Sequence, residues 1–320
     1  MTRLPSGEAG QRTSQRGFRL VSILMSWIAY EKPKTISEAM SLLGKAEGRG
    51  RLIAGGTDLV LQLKRGERQA GLLIDISGVP ELKMIEAEGG WIRIGAAVTH
   101  AEAARHPLIM QEAKALAEGC GRVGSPQIRN IATLAGNIVS AQPAADSAIP
   151  LMALESEIKI VSPKSEQWLP LEEAYQGIGL SSVDATKEMV TEIRFKKMGR
   201  NGATAFFRLE RRKALTLPML NGALAVHFDP SLSRMTKARI AIGPVANKPY
   251  RARRVESYLE SVAIQPEAIA EAARIASEEA APRTSLIRGG AAYRKEMVRL
   301  YMARTIQGIV DEAKQWEQTR

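Results

Sequence analysis

Two short glycine segments hold the residue types in this sequence that are best suited to binding a ligand. The first, residues 53–59, reads Ile-Ala-Gly-Gly-Thr-Asp-Leu and joins a short apolar run to an apolar helical start. At a strand–turn–helix junction the N–H groups of the helix N-terminus are unpaired, and the helix dipole favours negative charge there. Gly55 and Gly56 would let the backbone approach a pyrophosphate, and Thr57 adds a hydroxyl donor. The alternative is a tight turn that needs glycine only for its backbone angles.

The second segment repeats these ingredients much later in the chain. Thr133 supplies a hydroxyl, Gly136 permits close approach, and Asn137 supplies an amide. Further along, Asp146 follows a Pro-Ala-Ala turn, where its carboxylate could accept a hydrogen bond from a ribose hydroxyl. The alternative for Asp146 is a cap for a helix that starts near residue 147. Two segments suited to phosphate predict one extended ligand held between two subdomains.

The elements that position these segments follow from capping residues and hydrophobic periodicity. Capping boxes begin at Thr35 and Thr99, each with a glutamate three residues later, and each predicts a helix. Residues 124–150 combine Gly, Ser, Asn and Pro with small apolar residues, which predicts an ordered, buried loop. Helical faces at 269–276 and 298–309 come last. Apolar and alternating stretches predict strands at residues 52–54, 72–76, 92–96, 157–161, 189–195, 222–228 and 238–243.

A change in composition at residues 196–202 predicts a boundary between two domains, and the order of the elements after it predicts an α+β module. The second domain places its strands before its helices. The predicted divisions are a disordered leader at 1–25, a first domain at 26–200 with subdomains at about 26–77 and 78–200, a second domain at 201–310, and a tail at 311–320.

Cysteine and histidine usage limits the chemistry that the chain can perform alone. The one cysteine, Cys120, excludes an internal disulfide, a cysteine-only iron–sulfur cluster and a structural zinc site within the chain. The three histidines are scattered: we expect His100 on the surface in the first turn of a helix and His227 at a strand end. No Ser-His-Asp set or carboxylate pair is visible. The sequence therefore predicts no catalytic residue and no metal ligand.

The net charge of +11 raises the question of nucleic-acid binding. Basic residues are spread along the chain, however, apart from dense patches at 208–213 and 251–254, and aromatic residues make up only 5%. Stacking platforms for single strands are therefore scarce, and we predict no nucleic-acid partner. No apolar run reaches the length of a membrane span.

Six longer motifs follow one another along the chain: LIAGGTDLVLQLK, LLIDISGVPEL, IRIGAAVTHAE, GSPQIRNIATLAGNI, AQPAADSAIP and ARIAIGPVANKPYRA. Together they resemble the FAD-binding medium subunits of molybdenum hydroxylases, the family of the xanthine dehydrogenase and carbon monoxide dehydrogenase flavoprotein subunits. The resemblance covers nearly the whole chain after residue 25. It implies a fold of the vanillyl-alcohol-oxidase (PCMH) type, in which two α+β subdomains at 26–200 hold an extended FAD and a C-terminal α+β domain packs on them.

The same resemblance implies which residues bind the cofactor. The first glycine segment would surround the pyrophosphate, and the second would form another cradle. Arg208 stands where the family usually has a lysine near the flavin. Ala135 replaces a glycine that is usual in the family, which restricts the backbone angles there. The implied cofactor-binding residues are Ile53, Ala54, Gly55, Gly56, Thr57, Asp58, Leu59, Ala97, Thr133, Gly136, Asn137, Asp146 and Arg208.

The resemblance further implies that the cofactors are distributed over several subunits. FAD would be bound non-covalently here, while a large partner subunit holds the molybdenum cofactor and a small one holds [2Fe-2S] clusters, in a cytoplasmic hetero-hexamer. Electrons would pass from the clusters through this chain to a final acceptor, with NAD as a candidate. One alternative is a self-sufficient FAD-dependent oxidoreductase of the same fold. An alternative of another class is a basic nucleic-acid-binding or scaffold protein.

Overall fold

The computed structural model of the chain describes residues 29–212 and 215–318. The leader predicted for residues 1–25 lies outside this range. The first subdomain is a three-stranded parallel sheet in the order β1-β3-β2, with a helix after β1 and another after β2. Its elements are β1 (Ala29–Glu31), α1 (Ile36–Lys45), β2 (Gly50–Ile53), α2 (Leu59–Lys64) and β3 (Leu72–Asp75).

The second subdomain is a five-stranded antiparallel sheet in the order β4-β5-β10-β6-β7. Its strands are β4 (Ile85–Glu88), β5 (Trp91–Gly95), β6 (Glu157–Val161), β7 (Glu166–Pro170) and β10 (Met189–Lys196). A small two-stranded sheet, β8 (Tyr175–Gly177) and β9 (Leu180–Ser181), precedes β10. The helices between β5 and β6 are α3 (His100–Arg105), α4 (Pro107–Glu112), α5 (Lys114–Arg122), α6 (Pro126–Arg129), α7 (Leu134–Val139) and α8 (Ala148–Ala153).

The single loop predicted for residues 124–150 is wrong, because the segment contains three short helices, α6 to α8. Side chains at two of their starts explain this. Ser125 accepts a hydrogen bond from the backbone N–H of Ile128, and Thr133 accepts one from Gly136, so each occupies an N-cap position. The small apolar residues that suggested a buried loop instead form buried helical faces, and α8 is buried along its whole length.

Both predicted capping boxes start helices, but they differ in detail. At α3 the box is complete, since Thr99 accepts from the N–H of Glu102 and Glu102 accepts from the N–H of Thr99. At α1, Thr35 accepts from the N–H of Glu38, whereas the Glu38 carboxylate accepts from the N–H of Lys34 at 2.7 Å. In the first box, the glutamate therefore accepts from the residue before the N-cap, and not from the N-cap residue itself.

The C-terminal domain has its strands before its helices, as predicted. Four antiparallel strands form a sheet in the order β11-β12-β13-β14. The last helix continues to residue 318, so residues 311–318 extend it and do not form a separate tail. The elements are β11 (Gly202–Leu209), β12 (Leu220–Phe228), β13 (Met235–Gly243), β14 (Tyr250–Arg251), α9 (Arg253–Ser261), α10 (Pro266–Glu279) and α11 (Ala291–Gln318). Among the described helices, none combines the length and apolarity needed to cross a membrane.

Strand β12 joins the two largest hydrophobic cores among the described residues. Its side chains alternate between the two faces of the sheet. Leu224 and Val226 belong to the core of the C-terminal domain, whereas Ala223 and Ala225 belong to the core that the two N-terminal subdomains share. Because alanine is small, the sheet can pack closely on α8. The C-terminal domain is thus attached through buried apolar surface.

An ion cluster also joins the domains at their surface. Glu155, which follows α8, contacts Lys237 Nζ at 2.6 Å and Arg239 Nε at 2.7 Å, both on β13. Burial would raise the pKa of Glu155, but the hydrogen bonds and charges of these two residues outweigh it and lower the pKa to about 2. The cluster therefore favours the ionised carboxylate.

We predict that Glu155→Gln lowers the free energy of unfolding at pH 7 by about 1 kcal/mol, because the side chain is partly exposed and solvent screens the pair. The folded pKa lies below the unfolded one, so the stabilisation is present above pH 4.5 and is lost as pH falls towards 2. The difference from wild type should shrink over that window in denaturant titrations. Glu173→Gln, at an exposed glutamate, is the control. Equal stability of wild type and Glu155→Gln at pH 7 would contradict the prediction.

Candidate functional site

A cleft of about 600 Å³ opens at the C-terminal end of β2. Ligand pockets typically measure roughly 300–1,000 Å³, so its size suits a cofactor. The structure brings both glycine segments to this cleft. Among the predicted site residues, those that line it are Ile53, Ala54, Gly55, Gly56, Thr57, Asp58, Leu59, Thr133, Gly136 and Asn137.

The two glycines of the first segment are required for different reasons. A Cβ atom on Gly55 would clash with the carbonyl oxygen of Ile131, so the backbone of the first segment touches the chain just before Thr133, where the second segment begins. Gly56 has a φ of +67°, which is the left-handed region that side chains rarely adopt. A Cβ there would also lie 2.9 Å from Cδ1 of Ile53. Gly55 therefore permits the contact between segments, and Gly56 permits the turn.

Side chains connect the segments as well. Ser140 Oγ donates a 2.6 Å hydrogen bond to Oδ2 of Asp58. In the second segment, Thr133 Oγ1 accepts from the Gly136 N–H at 3.1 Å, and Asn137 Oδ1 accepts from Ser147 Oγ at 2.9 Å. These bonds fix the orientation of the Thr133 hydroxyl and the Asn137 amide in the cleft wall. The wall thus presents backbone and side-chain donors of the kind that bind phosphate oxygens.

The expectation that His100 lies on the surface is wrong. The residue borders the cleft, but it is fully buried, so its ring lies behind the cleft wall. The reason is that the start of α3 pairs with the second segment: the His100 N–H donates to Ala132 O at 3.0 Å, and Thr99 forms a bridge with Thr133. Burial, with a smaller contribution from the Arg129 charge, lowers the pKa of His100 to about 4. By contrast, His227 is the penultimate residue of β12, so it lies at a strand end as expected.

Asp146 and Arg208 lie together, but neither lines this cleft. Both side chains are only 7% exposed, and Arg208 Nε donates to the Asp146 carboxylate at 3.1 Å. Asn221 Nδ2 on β12 donates to Asp146 Oδ1 at 2.8 Å, and Arg208 also contacts Glu210. Burial raises the pKa of Asp146, and its contacts with Arg208 and Asn221 oppose that rise. The cap interpretation of Asp146 is wrong, because Ser147 occupies the N-cap position of α8.

Ala97 is buried after β5 and also lies outside the cleft lining. Sequence reasoning missed other lining residues, which reach the cleft from β2, α2, α7 and the segment around β9. Arg51 and Arg68 lie close enough for each charge to affect the other, and Asp184 is near them. No local sequence signal marks these residues, since they meet only in the fold. Within residues 29–212 and 215–318 there is no group of three or more acidic, histidine or cysteine residues able to hold a metal ion.

Comparison with known proteins covers both domains. The family described as the FAD binding domain in molybdopterin dehydrogenase matches residues 25–195, and the CO dehydrogenase flavoprotein C-terminal domain matches residues 205–309. The nicotinate dehydrogenase FAD-subunit of Eubacterium barkeri is 29% identical over 283 residues, which are 88% of this chain and 95% of that protein. The carbon monoxide dehydrogenase medium chain of Hydrogenophaga pseudoflava is 30% identical over 268 residues, or 84% of this chain and 92% of that one.

A solved structure of carbon monoxide dehydrogenase from Hydrogenophaga pseudoflava has a TM-score of 0.81 with this chain at 27% identity. The match covers 88% of this chain and 96% of that one. Two α+β subdomains that meet at a glycine-lined cleft, with a C-terminal α+β domain, define an FAD-binding flavoprotein of the PCMH type. The chain belongs to the family of FAD-binding subunits of molybdenum hydroxylases. The predicted fold class, FAD as the cofactor and the assignment to the oxidoreductases are thereby confirmed.

Proposed function

We propose that the cleft binds the pyrophosphate of FAD without a covalent bond. The observation that carries this proposal is the backbone contact between Gly55 and Ile131, which brings both glycine segments to one cleft. Residues 53–59 would surround one side of the pyrophosphate. On the other side, Thr133 and Asn137 would donate hydrogen bonds, and Gly136 would let the backbone come close. FAD contacts of Ala97, Asp146 and Arg208 stay predictions. So do the limits of the first domain at residues 26–200, the start of the second domain at residue 201 and the cytoplasmic location.

The proposed role is electron transfer within a complex. Bound FAD supplies a carrier that takes up and releases one or two electrons. The chain itself binds and orients this cofactor. Relatives carry the names medium chain and FAD-subunit, which supports partner subunits for this chain too. We propose a large subunit with the molybdenum cofactor and a small subunit with [2Fe-2S] clusters, assembled as a hetero-hexamer. The clusters would deliver electrons to this chain, and NAD is the candidate acceptor.

The contact at Gly55 makes a direct test of the cleft. Gly55→Ala would place a Cβ against the Ile131 carbonyl, so the two segments must move apart. We expect FAD affinity to fall about tenfold, which is about 1.4 kcal/mol, measured by quenching of flavin fluorescence. Gly78→Ala is the matched control, because nothing lies within 4 Å of a Cβ at that position. If Gly55→Ala binds FAD with unchanged affinity, the contact between the segments is not needed for FAD binding.

A purification experiment tests the role in a complex. The chain should be purified alone and together with co-expressed neighbouring subunits, and aldehydes and purines should be assayed with a dye acceptor. We expect the lone chain to bind FAD, to release it on acid precipitation, and to oxidise none of these substrates. The assembled complex is expected to turn over. Robust turnover by the lone chain would refute the subunit role and favour the self-sufficient oxidoreductase.

A further inference from the structure

The positive charges of the cleft lie outside the two glycine segments. The pyrophosphate of FAD is a dianion, whereas the donors that the glycine segments present are neutral backbone, hydroxyl and amide groups. Among the described residues of the cleft lining, Arg51 and Arg68 are the only arginine or lysine residues. Burial lowers the pKa of His100 to about 4, so its ring is neutral at pH 7. The charge of an anionic ligand can therefore be balanced in this lining only by the two arginines.

Arg51 and Arg68 lie near each other and are accessible from the cleft. Arg51 is on β2, and Arg68 follows α2. Burial lowers the pKa of Arg51, and the positive charge of Arg68 lowers it further, so the two like charges are close enough to repel. Arg51 is only partly buried and Arg68 is exposed. A ligand in the cleft can therefore reach both side chains.

Each of the two guanidinium groups has free hydrogen-bond donors. Arg51 Nε donates to Gln69 O at 3.3 Å, and Arg68 Nε donates to Gln62 Oε1 at 3.0 Å. Within the part of the chain that the structure describes, neither side chain makes another hydrogen bond or an ion pair. The terminal Nη atoms, which form the fork that suits phosphate oxygens, therefore have no partner among these residues.

The acidic residues of the cleft do not pair with these arginines. In the described lining they are Asp58 and Asp184, and neither forms an ion pair with Arg51 or Arg68. Asp184 instead contacts Lys187 Nζ at 3.1 Å. Its charge favours the ionised form of Arg51, but burial and the Arg68 charge have larger effects. The two arginines thus keep their positive charge available for a ligand.

We propose that Arg51 and Arg68 are cofactor-binding residues whose guanidinium groups pair with the pyrophosphate oxygens of FAD. This inference rests on the FAD cleft proposed above and supplies the positive charge that a pyrophosphate requires there. The glycine segments let the backbone come close to the phosphates, and the arginines neutralise them. In the free protein the two arginines repel each other, so a bound anion also relieves an unfavourable interaction.

The test compares Arg51→Gln and Arg68→Gln with Arg65→Gln. Arg65 is the matched control, because it is an exposed arginine at the C-terminal end of α2 but lies outside the described cleft lining. We expect each cleft variant to weaken FAD binding about tenfold, as loss of a charge-assisted hydrogen bond does. The measurement is fluorescence quenching of FAD added to the apoprotein. The Arg65 variant should bind FAD as wild type does, and all three apoproteins should keep the wild-type Tm.

Salt dependence and lysine variants test the charge itself. Because salt screens charges, the FAD affinity of wild type should fall as NaCl is added, and that of the Arg51→Gln, Arg68→Gln double variant should change less. Arg51→Lys and Arg68→Lys keep the charge without the fork, so each should bind FAD more tightly than the corresponding Gln variant.

Three results would overturn the proposal. They are normal FAD binding by either Gln variant, a double variant with the salt dependence of wild type, and Gln variants that lower the apoprotein Tm together with the FAD affinity. The last result would indicate a structural role for the arginines. A wild-type chain that binds no FAD would instead refute the FAD cleft itself.

Discussion

Gly56→Glu is expected to abolish FAD binding, with a dissociation constant raised by more than about a hundredfold. Two effects act together. Gly56 has a φ of +67°, where a side chain costs on the order of 1–3 kcal/mol, and a Cβ would press against Ile53. A carboxylate in this turn would also repel a pyrophosphate. The measurement is the flavin content of the purified protein and the affinity of the apoprotein for added FAD.

Gly48→Glu is the matched control for this variant. Gly48 also has a positive φ, of +80°, but a Cβ there meets nothing within 4 Å, and the residue lies outside the cleft. Both variants therefore carry the backbone strain and the added charge, and only one carries them into the cleft. The C-terminal domain of Gly56→Glu should stay resistant to protease. If Gly56→Glu retains a full complement of FAD, this turn is not part of the FAD site.

Arg208→Met is expected to lower the free energy of unfolding by about 3–5 kcal/mol, because it leaves the buried Asp146 carboxylate without its counter-charge. Methionine is of similar length and keeps apolar packing. The pair links β11 to the segment before α8, so its loss affects the junction of the two domains. Denaturant titration measures the effect. Arg212→Met, at an exposed arginine shortly after the end of β11, should change stability little.

The double variant Asp146→Asn with Arg208→Met isolates the cause. Removing the buried charge together with its partner should restore much of the stability lost in Arg208→Met. If the double variant is as unstable as Arg208→Met alone, the loss does not arise from the Asp146 charge; it then arises from packing or from Glu210, which Arg208 also contacts. FAD affinity measured on the same variants will show whether either residue also contacts the cofactor.

Patterns in the local sequence were sufficient to predict many of the helices and strands. The strand predicted at 157–161 coincides with β6, and the capping box at Thr99 marks the start of α3. These features depend on residues close in sequence, so periodicity and capping chemistry identify them. The two glycine segments were also recognisable, because their composition is unusual.

Tertiary contacts explain what could not be predicted. A surface position for His100 was expected from its place in the first turn of a helix, but pairing of that turn with Ala132 buries the ring. The role of Gly55 depends on Ile131, and that of Asp146 on Arg208, both far away in sequence. Local pattern does not identify such partners. It therefore identified many residues of the cleft, but not the contacts that explain several of them.

The backbone contact between Gly55 and Ile131 has a consequence for how the proposed FAD site would assemble. The first glycine segment leaves the ribosome well before the second, and the sheet that supports the second is complete only when β10 has paired with β5 and β6. A nascent chain therefore has only half of the proposed cradle. With FAD in the cleft as proposed, cofactor loading is expected to follow the docking of the two subdomains, and FAD would then stabilise the docked form by mass action. Flavin supply during expression should thus affect the lifetime of the folded subunit more than its rate of folding.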